Sequence, residues 1–183
     1  MPQNIAALNL KNLLGSSIPE LGPKPRPDAL DHDTLTKKLA DVFKHSNIST
    51  PAQELIRALL LLWHDQLDAA HHVAQAIENA DGSFIHGIVH RREPDYSNAG
   101  YWFRRVGGHE CFPEIAARAK KLLDMESNPA WSAKLLAHGE WEPLAFIQLC
   151  ASVEEKPSDD PQVLLLRKIQ AIETEVLLDH FLH

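Results

Sequence analysis

Few residues in this chain break or constrain helices. Glycine occurs 8 times in 183 residues, and β-branched runs are nearly absent, so neither a strand-rich sandwich nor a glycine-rich phosphate loop is expected. Cysteine occurs twice, as Cys111 and Cys150. The pair forms no CxxC and has no histidine at finger-like spacing, which excludes a disulfide framework or a zinc finger as readings of the sequence. The longest apolar run, Ala58 to Trp63, is far too short to cross a bilayer, so no membrane partner is expected. The opening residues show no basic and then apolar leader, and a cytoplasmic location is the plain reading. A net charge of −7 with no broad Lys/Arg stripe argues against nucleic acid as a partner.

Alanine and leucine dominate the apolar 44% of the sequence, and both favour helices. Helical periodicity with local start and stop signals predicts Asn4–Leu14, Asp33–Ser46, a helix from the Thr50-Pro51 start to about His64, and Leu67–Asn79. It continues with Ser83–Glu93, a helix capped by Asp95 and running to Val106, then Glu114–Met125, Ala130–Ala137, Pro143–Val153 and Pro161–Leu182. About ten helices with short connections predict an all-α single domain of stacked antiparallel hairpins. Prolines 19, 23, 25 and 27 make residues 16–31 an extended segment. Residues 1–31 are therefore read as a helix and strap ahead of the helical domain at 32–183, the strap being either packed on the domain or a loose arm. The apolar faces of Leu35–Phe43 and Val163–Leu182 are candidates for a homodimer surface.

A weak repeat lies in the middle. Residues 65–74 align with residues 94–103 at an offset of 29, Ala70 matching Ala99. The second copy resembles the tetratricopeptide and Sel1-like class of helical hairpins. Gly87 falls on that class's small first-helix residue, Asp95-Tyr96 on its interhelix turn, Ala99 on its crossing point and Phe103 on the large apolar residue one turn later. The offset is shorter than the usual repeat of about 34 residues, Pro94 stands where a turn glycine is usual, and Val106 replaces a usual alanine. The string HRREPDYSNAGYWFRR (residues 90–105) also resembles a motif of a family of small uncharacterised proteins. The motif implies no activity; the tetratricopeptide resemblance implies that the last turn of the first helix, with Arg91 and Arg92, borders the concave face where such repeats bind peptide ends.

The segment from Phe84 to Cys111 holds four arginines among Tyr96, Tyr101, Trp102 and Phe103. That mixture suits an apolar-walled pocket with a bidentate anion clamp. Arg91, Arg92, Arg104, Arg105, Tyr101, Trp102 and Asn98 are thus the candidate ligand-binding residues, for a small anionic ligand or an acidic peptide end. The bland reading of each arginine is a surface salt bridge. His86 and His90 stand four residues apart on one helical face, and Asp68 and His72 do so on the preceding helix. Together they are candidate ligands for a divalent metal or an acid/base pair of an enzyme. Boundary histidines bonded to nearby carboxylates are the competing reading. The favoured expectation is a binding protein, with a histidine-based enzyme as the alternative.

Overall fold

The computed structural model describes the backbone of residues 2–183 and the side chains from Ile5 onward. Ten α-helices follow one another: α1 (Pro2–Asn12), α2 (His32–Lys44), α3 (Thr50–Trp63), α4 (Leu67–Ala74), α5 (Ala80–Arg92), α6 (Tyr96–Val106), α7 (Phe112–Met125), α8 (Pro129–Leu135), α9 (Pro143–Ser152) and α10 (Pro161–Phe181), with a 3-10 turn at Ala137–Gly139. No strand occurs among the described residues, and no helix is long and apolar enough to cross a membrane.

Local chemistry explains most of the boundaries. Asp31, Ser49, Asn79, Asp95, Asn128 and Asp160 each accept a backbone N–H of the first turn they precede, satisfying donors that a helix start leaves orphaned. The cap of α3 is Ser49 rather than Thr50, one residue earlier than expected. The end of α4 comes at Ala74, not Asn79, because Asn79 serves instead to cap α5, accepting from Gly82. Asp65, just ahead of α4, makes no capping bond and adopts φ 62°. Its carboxylate is taken by two arginines.

Helices α3, α5 and α10 form the interior. Every position of α3 from Leu55 to Trp63 except Arg57 is buried, and α5 is buried on every side from Gly82 to Arg92. Helix α6 packs back on α5, α4 covers the junction of α3 and α5, and α10 lies against α3, α7 and α9. The α5–α6 crossing is close because Gly87 has no side chain. A Cβ there would stand 2.8 Å from two ring carbons of Phe103. The apolar faces of α2 and α10, expected to offer a dimer surface, are used within the chain: Leu35 and Leu39 are fully buried, as are Leu166, Ile169 and Leu177.

The proline-containing segment lies across α3, α5 and α10, tied through its main chain. Arg167 donates to the carbonyls of Ile18 and Pro19, Gln170 to that of Glu20, and Arg92 to that of Gly22. Arg26, itself buried, reaches inward to Asp65 and to the Trp63 carbonyl. Trp63 and His64 in turn donate to the carbonyls of Leu14 and Leu13. Prolines leave such carbonyls without intrasegment partners, so side chains of the domain supply them.

Candidate three-histidine centre

His86 and His90 project from one face of α5, as their four-residue spacing requires. The third member of their cluster is His71 of α4. Its ring centroid is 4.5 Å from that of His86 and 4.9 Å from that of His90, and the latter two rings stack at 4.8 Å. One nitrogen from each of the three lies within 4.8 Å of the others. Asp68 and His72 are exposed and do not join them. A step of one residue turns a helical side chain by about 100°, so the expected Asp68/His72 pair gives way to His71 alone.

The three imidazoles differ in their surroundings. His90 Nδ1 is 3.1 Å from a Glu93 carboxylate oxygen, and its Nε2 is 3.1 Å from the Asn98 amide nitrogen. The consistent assignment has Nδ1–H donating to Glu93 and Nε2 accepting from Asn98. His86 is 3% exposed, and neither of its ring nitrogens meets a partner among the described residues. Its ring lies flat on Trp102, centroids 3.9 Å apart. Burial, then the neighbouring His71 and His90, push its pKa down to about 4. Burial likewise lowers that of His90, against the pull of Glu93. His86 and His90 are thereby favoured as neutral imidazoles, the form that ligates metals.

The arginines separate into two kinds. Arg91 and Arg92, expected at a groove, are 1% exposed and belong to the interior. Arg91 pairs with Glu173 of α10, 3.2 Å from Nη1 to Oε1, donates also to Gln170, and lies over the Phe146 ring at 4.4 Å. Arg92 pairs with Asp65 at 2.6 Å and donates to the Leu62 carbonyl. Arg104 and Arg105 are exposed. Arg105 lies over Trp102 at 5.2 Å and beside the half-exposed Tyr101, whose hydroxyl it approaches at 3.4 Å. Trp102 thus meets both the His86 ring and the Arg105 guanidinium. Asn98, Trp102 and Arg105 recur at helical spacing on one face of α6.

No protein-family model matches the chain, nor does any curated protein or solved structure. The centre is therefore read from its own chemistry. His71 and Glu93 are the members that sequence reasoning passed over. The Glu93 spacing from His90, three residues on, was the available signal for one of them. In α4 the stripe Leu67, Ala70 and Ala74 was the signal for His71 over its neighbour His72.

Proposed function

We propose that the chain binds a divalent transition metal at His71, His86 and His90, with a small anionic ligand or substrate completing the coordination. The observation that carries this reading is His86, a buried imidazole with two unpartnered nitrogens beside two others. An unsatisfied buried polar group costs about 1–3 kcal/mol, and a cation among the three rings satisfies one of the two His86 nitrogens. A tetrahedral site with bonds of about 2.0 Å needs its nitrogens about 3.3 Å apart, which small rotations of the three side chains supply. Glu93 fixes the ligating tautomer of His90, in the manner of the carboxylates that orient metal-bound histidines. The Asn98 amide occupies the position at His90 Nε2 that the cation would take.

Three neutral imidazoles leave the charge of a dication uncompensated. An anion or hydroxide is favoured in the open position. The Arg105–Trp102–Tyr101 face, continuous with the histidines through the Trp102–His86 stack, supplies a cation and an apolar wall for the rest of such a ligand. Bound water activated by the metal equips this arrangement for hydrolytic chemistry. The binding role first assigned to four arginines is thereby narrowed to Arg105 and its neighbour Arg104. An acid/base pair of His90 and Glu93 acting without metal is the second reading, favoured by their 3.1 Å contact. The α5–α6 pair is proposed as a hairpin of the tetratricopeptide or Sel1-like kind on the close crossing at Gly87. A cytoplasmic setting is part of the same reading, because Cys111 and Cys150 are both free thiols.

The test is metal analysis of protein purified without a nickel column, before and after addition of zinc, manganese or ferrous iron. Wild type should hold one more equivalent than a His86→Ala variant. At metal concentrations near 100 times Kd that equivalent should stabilise it by about 2.7 kcal/mol. Equal metal content and equal stabilisation in the two proteins would remove this reading. Activity that survives exhaustive chelation would favour the metal-free pair.

A further inference from the structure

His64, the residue that ends α3, is 5% exposed and touches both ends of the proline-containing segment. The Leu30 N–H donates to its Nδ1 at 3.1 Å, and its Nε2 is 2.8 Å from the Leu13 carbonyl oxygen. A main-chain N–H can only donate, and a carbonyl can only accept. The two contacts together therefore fix one tautomer, a neutral ring with its proton on Nε2. Leu13 follows α1 and Leu30 stands just before α2, so one imidazole closes residues 13–30 into a loop at its base. The centre of that loop is held separately, by Arg167, Gln170 and Arg92 on its carbonyls and by Arg26 on Asp65.

A second proton, on Nδ1, is incompatible with this base. It would set two N–H donors head to head at 3.1 Å and place a charge on a ring shut away from water. The charged groups facing the ring are Arg26 and Asp28 of the segment and Asp65 beside it in the chain. Burial opposes the proton most strongly and Arg26 adds to it, whereas the Leu13 carbonyl and the two carboxylates favour it. Asp65 is already engaged by Arg26 and Arg92. Burial prevails, and the His64 pKa lies below its ordinary value. Once the base opens, the ring meets water and takes its proton at the ordinary pH of about 6.5. Opening and proton uptake are thereby linked.

We infer that His64 is a pH-sensitive clasp, its neutral ring shutting the base of loop 13–30 and its protonated ring releasing the Leu30 end while the centre stays bound. With the base open, α1 is still tied to α3 by the Trp63–Leu14 bond, and the Leu30 carbonyl still accepts from Gln66. The closed base is fully favoured above about pH 6.5. It is lost progressively as pH falls towards and through the lowered pKa of the folded protein.

Hydrogen exchange of the Leu30 amide tests the clasp in the full chain, read by nuclear magnetic resonance between about pH 7 and pH 5 and corrected for intrinsic exchange. Chelator keeps the three-histidine centre out of the measurement. The Leu30 amide should exchange faster than the amides of α5 and α10 at each pH. Its protection should fall as pH drops, by up to about tenfold per pH unit for one linked proton. A His64→Gln side chain offers an oxygen to Leu30 and an N–H to Leu13 and does not titrate, so protection should persist with its pH dependence gone. A Leu30 amide that exchanges only as fast as those of α5 and α10 overturns the proposal, as does an unchanged pH dependence in His64→Gln. If that variant does not fold, the imidazole nitrogen spectrum of wild type decides. A proton on Nε2 at neutral pH, with the ring and the Leu30 amide titrating at one midpoint, is expected. A proton on Nδ1, or a Leu30 signal indifferent to the titration, overturns it.

Discussion

Replacing Glu173 with alanine separates a structural Arg91 from a ligand-binding one. Both side chains of the pair are 0% exposed, and Arg91 donates to the two carboxylate oxygens while Gln170 takes a third, longer bond. Removing the carboxylate leaves a guanidinium in the interior with only Gln170 and the Phe146 face as partners. Stranding one member of a buried pair costs about 3–5 kcal/mol. Against a domain stability of about 5–15 kcal/mol, that is about a fifth of the total or more. Replacing both members together, as Arg91→Met with Glu173→Leu, should restore most of it, because matched apolar groups of similar volume are often neutral or stabilising in place of a buried pair. Urea unfolding followed by circular dichroism provides the three free energies. A Glu173→Ala protein within about 1 kcal/mol of wild type would refute the reasoning and return Arg91 to the candidates for an anion clamp.

Three further outcomes follow from the packing and the titrating groups. Gly87→Ala should gain about 1 kcal/mol of helix propensity but lose about 1–3 kcal/mol by overpacking, since its Cβ would meet the Phe103 ring at 2.8 Å. A net loss in urea unfolding is expected, relieved when Phe103→Leu is added, and a more stable Gly87→Ala would contradict it. In metal-free protein, His86 binds its proton only near pH 4, whereas the unfolded chain binds it below about pH 6.5. The unfolded state therefore holds more protons in that window, and stability falls as pH drops from about 6.5 towards 4, by on the order of 2–3 kcal/mol for this group. His64, lowered by burial, acts in the same direction. Urea midpoints at pH 7 and pH 5 in chelator check this, and a His86→Phe protein should show a smaller drop. Burial pushes the Cys150 thiol up to about 12, so at pH 8 about one molecule in ten thousand carries the thiolate. Alkylation of Cys150, followed by peptide mass analysis, should be negligible in the folded protein and rapid in denaturant; ready modification of the folded protein would contradict its burial.

The fold was legible where signals are local. Pro51, the Asp95 cap and Gly107 mark helix ends through their own backbone preferences, and the buried run of α3 showed as unbroken apolar sequence. The close approach of Gly87 and Phe103 was visible in the hairpin spacing. The interior fate of Arg91 and Arg92 was not, because their partners Glu173 and Asp65 come from other elements. Nothing in HRRE distinguishes a guanidinium bound for the core from one bound for water. The choice between His71 and His72 turned on a weak local signal. Helix α4 has only 8 residues, and its short stripe of Leu67, Ala70 and Ala74, which turns His71 inward and His72 out, competes with the four-residue spacing of Asp68 and His72. The contact of His180 with Asp81 stayed hidden because the two meet only after α10 has packed.

Anomalous diffraction from crystals grown with zinc or manganese, recorded at the metal's absorption edge, tests the central claim most directly. A peak within about 2.0–2.2 Å of one nitrogen each from His71, His86 and His90 is predicted, with the Asn98 amide turned away from His90. Crystals at saturating metal with no peak among those rings, His86 still without a partner, would contradict it.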